Sequence, residues 1–266
     1  MDDTGTGQVT RSAAEIYEEF FVPALFRDWA PRVAEAARLS PGQAVLDVAC
    51  GTGVLAREAA ARVAPGGTTA ALDRNEGMLA VARRTTPAIE WHLGKAESLP
   101  FADGRFDAVV SQFGLMFFED RIAALGEMWR VLRPGGHLAV AVWDALAHSP
   151  GYAAMVALLR RLFGERIANE LRAPFALGEP EAFRALLEEA GIAAAEIRTL
   201  DGTARFPSLE AWVRTDIKGW TLAELIDDAQ YRRLLQEAQR DLRAYVGPDG
   251  AVAFGAPAHI ATARKP

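Results

Sequence analysis

The sequence of 266 residues contains a single cysteine, Cys50, so no disulfide can form within the chain. Structural disulfides are typical of oxidising compartments, and this cysteine usage therefore fits a reducing one. Residues 1–5 lack the basic and apolar regions of a signal peptide. No apolar run approaches the length of a transmembrane helix. We therefore expect a cytoplasmic protein without membrane insertion.

Positive charge is also scarce. The chain has 29 Lys and Arg residues against 35 Asp and Glu residues, a net charge of −6, and no basic run stands out. Proteins that bind nucleic acid usually carry a basic face, so we expect neither DNA nor RNA as a partner. The histidines lack the spacing of metal ligands, which predicts no metal site. They are His92, His137, His148 and His259.

A third glycine is missing from the main glycine turn. An apolar run over 44–50, typical of a buried strand, breaks at Gly51-Thr52-Gly53, and apolar residues then recur with helical spacing through Val63. This pattern predicts a strand, a tight turn and a helix whose free N–H groups face a ligand. A dinucleotide site would require G-x-G-x-x-G. Its absence disfavours a nicotinamide-dependent dehydrogenase.

Two acidic residues flank this turn. Asp47 lies just before it, where a carboxylate would repel a pyrophosphate and attract the ammonium group of an amino acid. Asp73 ends the next apolar run, about 20 residues further on, where an acid can bind two ribose hydroxyls. A nucleoside with an amino-acid tail fits this pair better than a dinucleotide. S-adenosylmethionine (AdoMet) is such a molecule.

Five ordered segments resemble the class I AdoMet-dependent methyltransferases. The similarity is to the branch that includes the ubiquinone and menaquinone biosynthesis enzymes and many small-molecule methyltransferases of bacterial natural-product pathways. It covers roughly residues 12–145 and becomes loose beyond them. The segments are VLDVACGTG at 45–53, LDRNEGMLAVAR at 72–83, GKAESLPF at 94–101, FDAVVSQFGLMFF at 106–118 and VLRPGGHLAVAVW at 131–143.

The alternation of strands and helices predicts βαβ units and a parallel sheet. The resemblance implies a Rossmann-like three-layer α/β sandwich with a mostly parallel seven-stranded sheet and an antiparallel last strand. We expect one methyltransferase domain, with helical insertions that cover the site. Its parts are a disordered stretch at 1–11, N-terminal cap helices at 12–40, an AdoMet-binding core at 41–144, and cover insertions at 145–178 and 207–247.

The resemblance also implies the role of several residues. Gly51 and Gly53 would admit the methionine moiety, Asp47 would hold its ammonium, and Asp73 would bind the ribose. Gln112 and Phe113 end a strand, where ligands of parallel sheets bind. The full set of predicted cofactor-binding residues is Tyr17, Asp47, Ala49, Gly51, Thr52, Gly53, Asp73, Arg74, Met78, Ala96, Glu97, Gln112 and Phe113.

A dense apolar cluster at 113–118 predicts the wall of the acceptor pocket, with Phe113 and Phe117 as its lining. No residue is identified as catalytic. Cys50 fits a small buried turn residue better than a nucleophile. His148 is either a base for an acidic hydroxyl or a loop histidine that faces solvent.

Lys95 departs from the family pattern, which usually has an aspartate after the loop glycine to accept the adenine amino group. Lysine is a donor only and cannot accept that hydrogen bond. Either Glu97 or a backbone carbonyl replaces the acceptor, or packing alone holds the adenine.

The predicted function is methyl transfer from AdoMet to a small, mainly apolar acceptor, by O-, C- or N-methylation, in a pathway such as quinone or natural-product biosynthesis. Two alternatives remain open. The same site could support a non-methylating reaction such as a cyclisation, or the protein could bind AdoMet without catalysis. The sequence indicates neither the acceptor, nor the methylated atom, nor the number of subunits.

Overall fold

The computed structural model describes residues 11–219 and 221–266, without the side chains of Arg11, Ser12 and Thr221. Of the stretch 1–11 that is expected to be disordered, residues 1–10 lie outside the described residues. The first helix begins at Arg11, which the sequence had assigned to the disordered stretch.

A seven-stranded sheet forms the centre of the fold, in the order β3-β2-β1-β4-β5-β9-β6. The pairs from β3 to β5 are parallel, whereas β9 is antiparallel to both of its neighbours. This confirms the predicted sheet with its antiparallel last strand. The strands are β1 Ala44–Val48, β2 Thr68–Asp73, β3 Glu90–Leu93, β4 Phe106–Gln112, β5 Leu132–Trp143, β6 Glu196–Leu200, β7 Thr203–Phe206, β8 Val252–Gly255 and β9 Ala258–Arg264.

Helices cover both faces of the sheet because its central strands are apolar on both sides. Val45, Leu46 and Val48 of β1 are fully buried, as expected for a parallel strand between helical layers. The described helices are α1 Arg11–Ile16, α2 Ala30–Ala36, α3 Val54–Val63, α4 Glu76–Thr85, α5 Arg121–Val131, α6 Pro150–Phe163, α7 Glu165–Arg172, α8 Pro180–Glu189, α9 Leu209–Lys218 and α10 Asp228–Asp241.

The N-terminal helices accommodate two prolines. In the sequence Pro23 predicts the end of a helix, but a wider π-helical run, Tyr17–Phe26, continues through it. Pro31 predicts an interruption, but it lies in the first turn of α2, where a missing N–H costs little.

Two further boundaries differ from what the sequence predicts. Arg133-Pro134-Gly135-Gly136 predicts a break before β5, but the strand already begins at Leu132 and accommodates these residues as an irregularity in its pairing with β4. The sequence predicts a helix over 228–245, but α10 ends at Asp241 and the short 3₁₀ turn Arg243–Tyr245 follows. The capping box of this helix is formed by Asp227 and Gln230.

The sequence does not predict the antiparallel pair β7–β8. Each strand has only four residues, too short for a clear alternation of apolar and polar positions. The pair packs beside the cover: Phe254 of β8 contacts Tyr152 of α6 at a ring-centroid distance of 5.2 Å and Trp212 of α9 at 4.6 Å.

Candidate active site

A cavity opens at the carboxyl ends of β1, β2 and β4. This is the edge at which open parallel sheets bind ligands. We call it the cofactor cavity. All of the predicted cofactor-binding residues line it except Gly53. Lining residues that were not in the predicted set are Cys50, Val54, Leu55, Leu72, Asn75, Gly94, Gly114, Phe117 and Phe118.

Asp47 brings a buried carboxylate to this cavity. It is 1% exposed, and neither of its oxygens has a hydrogen-bond partner among the described residues. Burial raises the pKa of Asp47 well above its ordinary value, and the neighbouring Asp73 raises it further. The backbone N–H of Ala56 and the charge of Arg57 lower this pKa only in part. Such a carboxylate is stabilised by a ligand that supplies N–H donors and positive charge.

Asp73 is bound to the backbone on both sides of the cavity. Its Oδ2 accepts the Gly51 N–H at 2.7 Å, and its Oδ1 accepts the Asn75 N–H at 2.8 Å. Burial raises the pKa of Asp73, while these two hydrogen bonds and Arg74 lower it. Since a carboxylate has about four lone-pair sites, each oxygen retains capacity for one more donor. Two vicinal hydroxyls could occupy these positions.

The glycines of the turn have different surroundings. Gly51 has a φ of 56° and lines the cavity, where a Cβ would lie 3.9 Å from the Tyr17 ring. Gly53 has a φ of 90°, and a Cβ there would lie 2.4 Å from the Trp91 ring, outside the cavity. The structure therefore places Gly53 as a turn and packing residue that begins α3, and its expected contact with the methionine moiety stays a prediction.

The N-terminal cap reaches the cavity through Tyr17, whose pKa is raised mainly by burial and then by the charge of Asp73. Arg57 connects this cap to the glycine turn, because it donates to Glu18 at 2.8 Å and to the Thr52 carbonyl at 2.7 Å. Gln112 donates to the Phe26 carbonyl at 3.1 Å. The cap is thus fastened to the carboxyl ends of the strands by polar contacts.

Two non-glycine residues with left-handed backbone line the cavity. Ala49, after β1, has a φ of 59°, and Phe113, after β4, has a φ of 57°. Such conformations are uncommon outside glycine and often occur at functional sites. A Cβ at Gly114 would lie 2.6 Å from that of Ala49, so only glycine lets the ends of β1 and β4 approach each other.

A second cavity of about 630 Å³ adjoins the first. We call it the acceptor cavity. It shares Tyr17, Phe113 and Phe117 with the cofactor cavity, so both residues predicted to line the acceptor pocket lie where the two cavities meet. The remaining walls are largely apolar and come from the N-terminal helices, β5, α6, α7, α9 and neighbouring loops: Phe21, Leu25, Phe26, Trp143, Tyr152, Leu171, Pro174, Phe175, Asp216 and Ala256.

Aromatic packing fixes the wall between sheet and cap. The Phe113 ring is parallel to that of Trp143, with centroids 3.7 Å apart, and Trp29 packs edge-on against both. Phe26 adds tilted contacts to Phe113 and Trp143. A wall of this kind presents a rigid apolar surface to a bound molecule.

The rim of the cofactor cavity carries an ionic cluster next to Arg74. Lys95 does not line the cavity; its Nζ lies 3.4 Å from the exposed Glu119 carboxylate. Arg74 does line it and pairs with Glu119 at 3.1 Å. Lys95 and Arg74 lower the pKa of Glu119. Glu97 accepts the Glu119 N–H at 3.0 Å, so one of its oxygens is already engaged.

His148 lines neither cavity. Its side chain is largely exposed, and Nδ1 contacts Asp144 at 2.9 Å, which raises the His148 pKa. The structure therefore gives no support to His148 as a base. Burial raises the pKa of Cys50 well above its ordinary value, and the charges of Asp73 and Asp47 raise it further. Since the thiolate is the nucleophilic form, such a thiol is unreactive.

Within the part of the chain that the structure describes, no cluster of His, Cys, Asp and Glu could hold a metal ion. In the same residues, no helix has both the length and the apolar composition needed to cross a membrane.

Comparison with known proteins identifies the family. Residues 46–140 match the family described as "Methyltransferase domain". The chain is 31% identical, over 206 residues, to the ubiquinone/menaquinone biosynthesis C-methyltransferase UbiE of Burkholderia cenocepacia, a match that covers 71% of this chain and 83% of the relative. The chain belongs to this methyltransferase family.

A second relative is more similar to this chain over a shorter segment. Demethylmenaquinone methyltransferase of Renibacterium salmoninarum is 46% identical over 124 residues, which are 47% of this chain and 51% of the relative. The chain thus matches about half of that relative's length.

Among solved structures, the phosphoethanolamine N-methyltransferase 2 of Haemonchus contortus in complex with S-adenosyl-L-methionine aligns with a TM-score of 0.62 and 18% identity, over 97% of this chain and 57% of that chain. At this identity the likeness shows the fold.

Proposed function

We propose that this methyltransferase binds AdoMet in the cofactor cavity and transfers its methyl group to a small, mainly apolar molecule in the acceptor cavity. The observation that carries the proposal is the junction of the two cavities at Tyr17, Phe113 and Phe117, with the unpartnered carboxylate of Asp47 in the first cavity. The names of the relatives, which are quinone-biosynthesis methyltransferases, support it.

The residues present fit AdoMet. The bare carboxylate of Asp47 matches an ammonium group, directly or through water. Asp73 keeps acceptor capacity for the ribose hydroxyls beside its two backbone hydrogen bonds. Met78 and Ala96 are buried at the adenine end of the lining. The roles of the individual predicted residues, including Thr52, Arg74 and Glu97, form part of this proposal.

When bound, AdoMet supplies a methyl group already activated on a sulfonium, so the protein has little covalent chemistry to perform. Phe113 and Phe117 restrict the approach of the acceptor to the junction. The aromatic walls exclude water there, and the cap and cover helices hold the acceptor in position.

The acceptor class in this proposal is a quinone precursor or a natural-product intermediate, and the name of the Burkholderia cenocepacia relative, a C-methyltransferase, favours carbon as the methylated atom. We also infer that 1–266 acts as one methyltransferase domain in which 145–178 and 207–247 serve as the cover. The same proposal places the protein in the cytoplasm.

Calorimetry tests the cofactor assignment. We expect micromolar affinity for AdoMet and for S-adenosylhomocysteine, and no binding of NADH. Binding of NADH without binding of AdoMet would overturn the proposal. Once a bound acceptor is found, product mass separates methylation, which adds one CH₂, from a cyclisation that leaves the mass unchanged. A protein that binds AdoMet but turns over no acceptor would support the non-catalytic alternative.

A further inference from the structure

One end of the acceptor cavity is polar although its walls are apolar. Asp216 of α9 and Tyr152 of α6 both line the cavity. They are 1% and 5% exposed, respectively. The helices that carry them lie outside the part of the chain matched by the methyltransferase family. Nothing in the proposed cofactor binding uses either side chain.

The polar atoms at this end have no hydrogen-bond partners among the described residues. This holds for both carboxylate oxygens of Asp216, for the Tyr152 hydroxyl and for the Trp212 indole nitrogen, all of which are buried. Burial raises the pKa of Asp216 well above its ordinary value, while the polar groups of Trp212 and Tyr152 lower it in part. Leaving a buried carboxylate without hydrogen bonds has a cost in free energy. A ligand that pairs with it recovers that cost.

We propose that Asp216 and Tyr152 form a subsite that binds a hydroxyl group of the acceptor, with Asp216 accepting from the hydroxyl and Tyr152 donating to it. The inference rests on the proposed function, because it assigns the acceptor cavity to the methyl acceptor. It makes Asp216 a residue that determines specificity in the cover.

The chemistry of the pair favours a hydroxyl over an ammonium. A hydroxyl both donates and accepts, so it can satisfy a carboxylate oxygen and the Tyr152 hydroxyl together. An ammonium has no lone pair, so it could donate to Asp216 but could not accept a hydrogen bond from Tyr152. The ring walls formed by Phe26, Trp143 and Phe175 suit the flat apolar body of an aromatic alcohol.

Binding of three probes of similar shape tests the subsite, by calorimetry in the presence of saturating S-adenosylhomocysteine. The probes are 2-naphthol, 2-methylnaphthalene and 1-naphthylmethylamine, which present a hydroxyl, no polar group and an ammonium, respectively. We expect Asp216→Asn and Tyr152→Phe each to weaken 2-naphthol by roughly fivefold or more, the value of about one hydrogen bond, and to leave 2-methylnaphthalene within about twofold.

Thr215→Val is the matched control. Thr215 is equally buried on the same helix, but its hydroxyl donates to the Ala211 carbonyl at 2.6 Å and it does not line the cavity. We expect this variant to bind all three probes like the wild type. Near-ultraviolet circular dichroism of each variant checks that the fold is retained.

Each other outcome contradicts the subsite. Equal losses for 2-naphthol and 2-methylnaphthalene would show that the substitutions only disturb packing. Unchanged affinity for 2-naphthol in both variants would show that neither Asp216 nor Tyr152 binds its hydroxyl group. If 1-naphthylmethylamine bound most tightly of the three probes and lost this affinity in Asp216→Asn, the subsite would bind an ammonium group and not a hydroxyl. Binding of S-adenosylhomocysteine is measured in the same experiment, so a failure of the cofactor assignment is distinguished from a failure of the subsite.

Discussion

Asp73 fastens the glycine turn from the neighbouring strand, with its Oδ2 accepting the N–H of Gly51 at 2.7 Å. The residue predicted to bind the ribose therefore also holds the backbone that is predicted to face the methionine moiety. Its Oδ1 accepts the Asn75 N–H, at the start of α4. One carboxylate thus connects β2 with the segments that form two sides of the cofactor cavity.

Replacing Asp73 should affect both affinity and stability. We expect Asp73→Ala to weaken AdoMet by more than tenfold, because charge-assisted hydrogen bonds to the ribose contribute roughly 1.5–3 kcal/mol. The free energy of unfolding should fall by about 1–3 kcal/mol, since the Gly51 and Asn75 N–H groups lose their acceptor. Calorimetry and urea denaturation measure the two effects. A dissociation constant equal to that of the wild type would show that Asp73 does not bind the ribose.

A pair of ligands separates the roles of Asp73 and Asp47. 5′-Methylthioadenosine has the ribose and adenine of S-adenosylhomocysteine but lacks its amino-acid tail. We expect Asp73→Ala to weaken both ligands, and Asp47→Asn to weaken S-adenosylhomocysteine while leaving 5′-methylthioadenosine within about twofold. If Asp47→Asn weakened the binding of both ligands, Asp47 would support the structure of the turn and would not bind the ammonium group.

The raised pKa of Asp47 has a consequence for the ligand-free protein. Because its pKa in the folded state lies above the unfolded value of 3.8, the folded protein retains a proton that the unfolded chain releases. Protonation of Asp47 therefore contributes to the stability of the folded protein. This contribution is complete at pH values below the unfolded pKa and is lost as the pH rises toward the folded pKa. We therefore expect Asp47→Asn to raise the Tm of the ligand-free protein at pH 7 and to reduce the decline of Tm between pH 5 and pH 7.

Asp107→Asn is the contrasting variant for this experiment. The Asp107 carboxylate accepts the Ala44 N–H at 2.7 Å and pairs with Arg133, so its neutralisation should lower the Tm at pH 7. Thermal unfolding followed by circular dichroism gives both values. A lower Tm in Asp47→Asn at pH 7 would mean that the fold itself stabilises the Asp47 carboxylate, without a ligand.

The core of the cofactor site could be predicted because its residues lie close together in sequence. Asp47, Gly51 and Asp73 belong to one strand–turn–helix–strand unit, and the local pattern of apolar residues and glycines fixes where each one points. The carboxyl ends of parallel strands then bring them to one edge of the sheet. The same reasoning placed Phe113, whose strand is the neighbour of β1.

The polar end of the acceptor cavity could not be predicted in this way. Asp216 and Tyr152 come from helices far apart in sequence, and only the packing of α9 and α6 around β8 brings them together. An aspartate on an amphipathic helix is usually solvated, and no sequence signal marked Asp216 as buried. The packing of Trp91 against Gly53 is likewise a tertiary contact between β3 and the turn.

Gly53 and Gly126 offer a test of what each glycine does. Gly53 has a φ of 90°, and a Cβ there would lie 2.4 Å from the Trp91 ring, whereas a Cβ at Gly126 in α5 meets no atom within 4 Å. We expect Gly53→Ala to lower the free energy of unfolding by more than about 1 kcal/mol through backbone strain and overpacking. Gly126→Ala should raise it by about 0.5–1 kcal/mol through helix propensity. Equal effects of the two substitutions in urea denaturation would contradict the assignment of Gly53 as a packing residue.

Lys95 and Arg74 form a matched pair, because both contact Glu119 and only Arg74 lines the cofactor cavity. We expect Lys95→Ala to leave AdoMet affinity within about twofold, since its ammonium pairs with an exposed carboxylate, and such pairs contribute little. Arg74→Ala should weaken AdoMet roughly fivefold, the value of about one hydrogen bond. Calorimetry at 0.1 M and 0.5 M salt separates a direct contact, which persists, from a screened surface charge. A large loss in Lys95→Ala that exceeds the loss in Arg74→Ala would make Lys95 the cofactor contact, and the adenine would then be recognised by a donor where the family pattern has an acceptor.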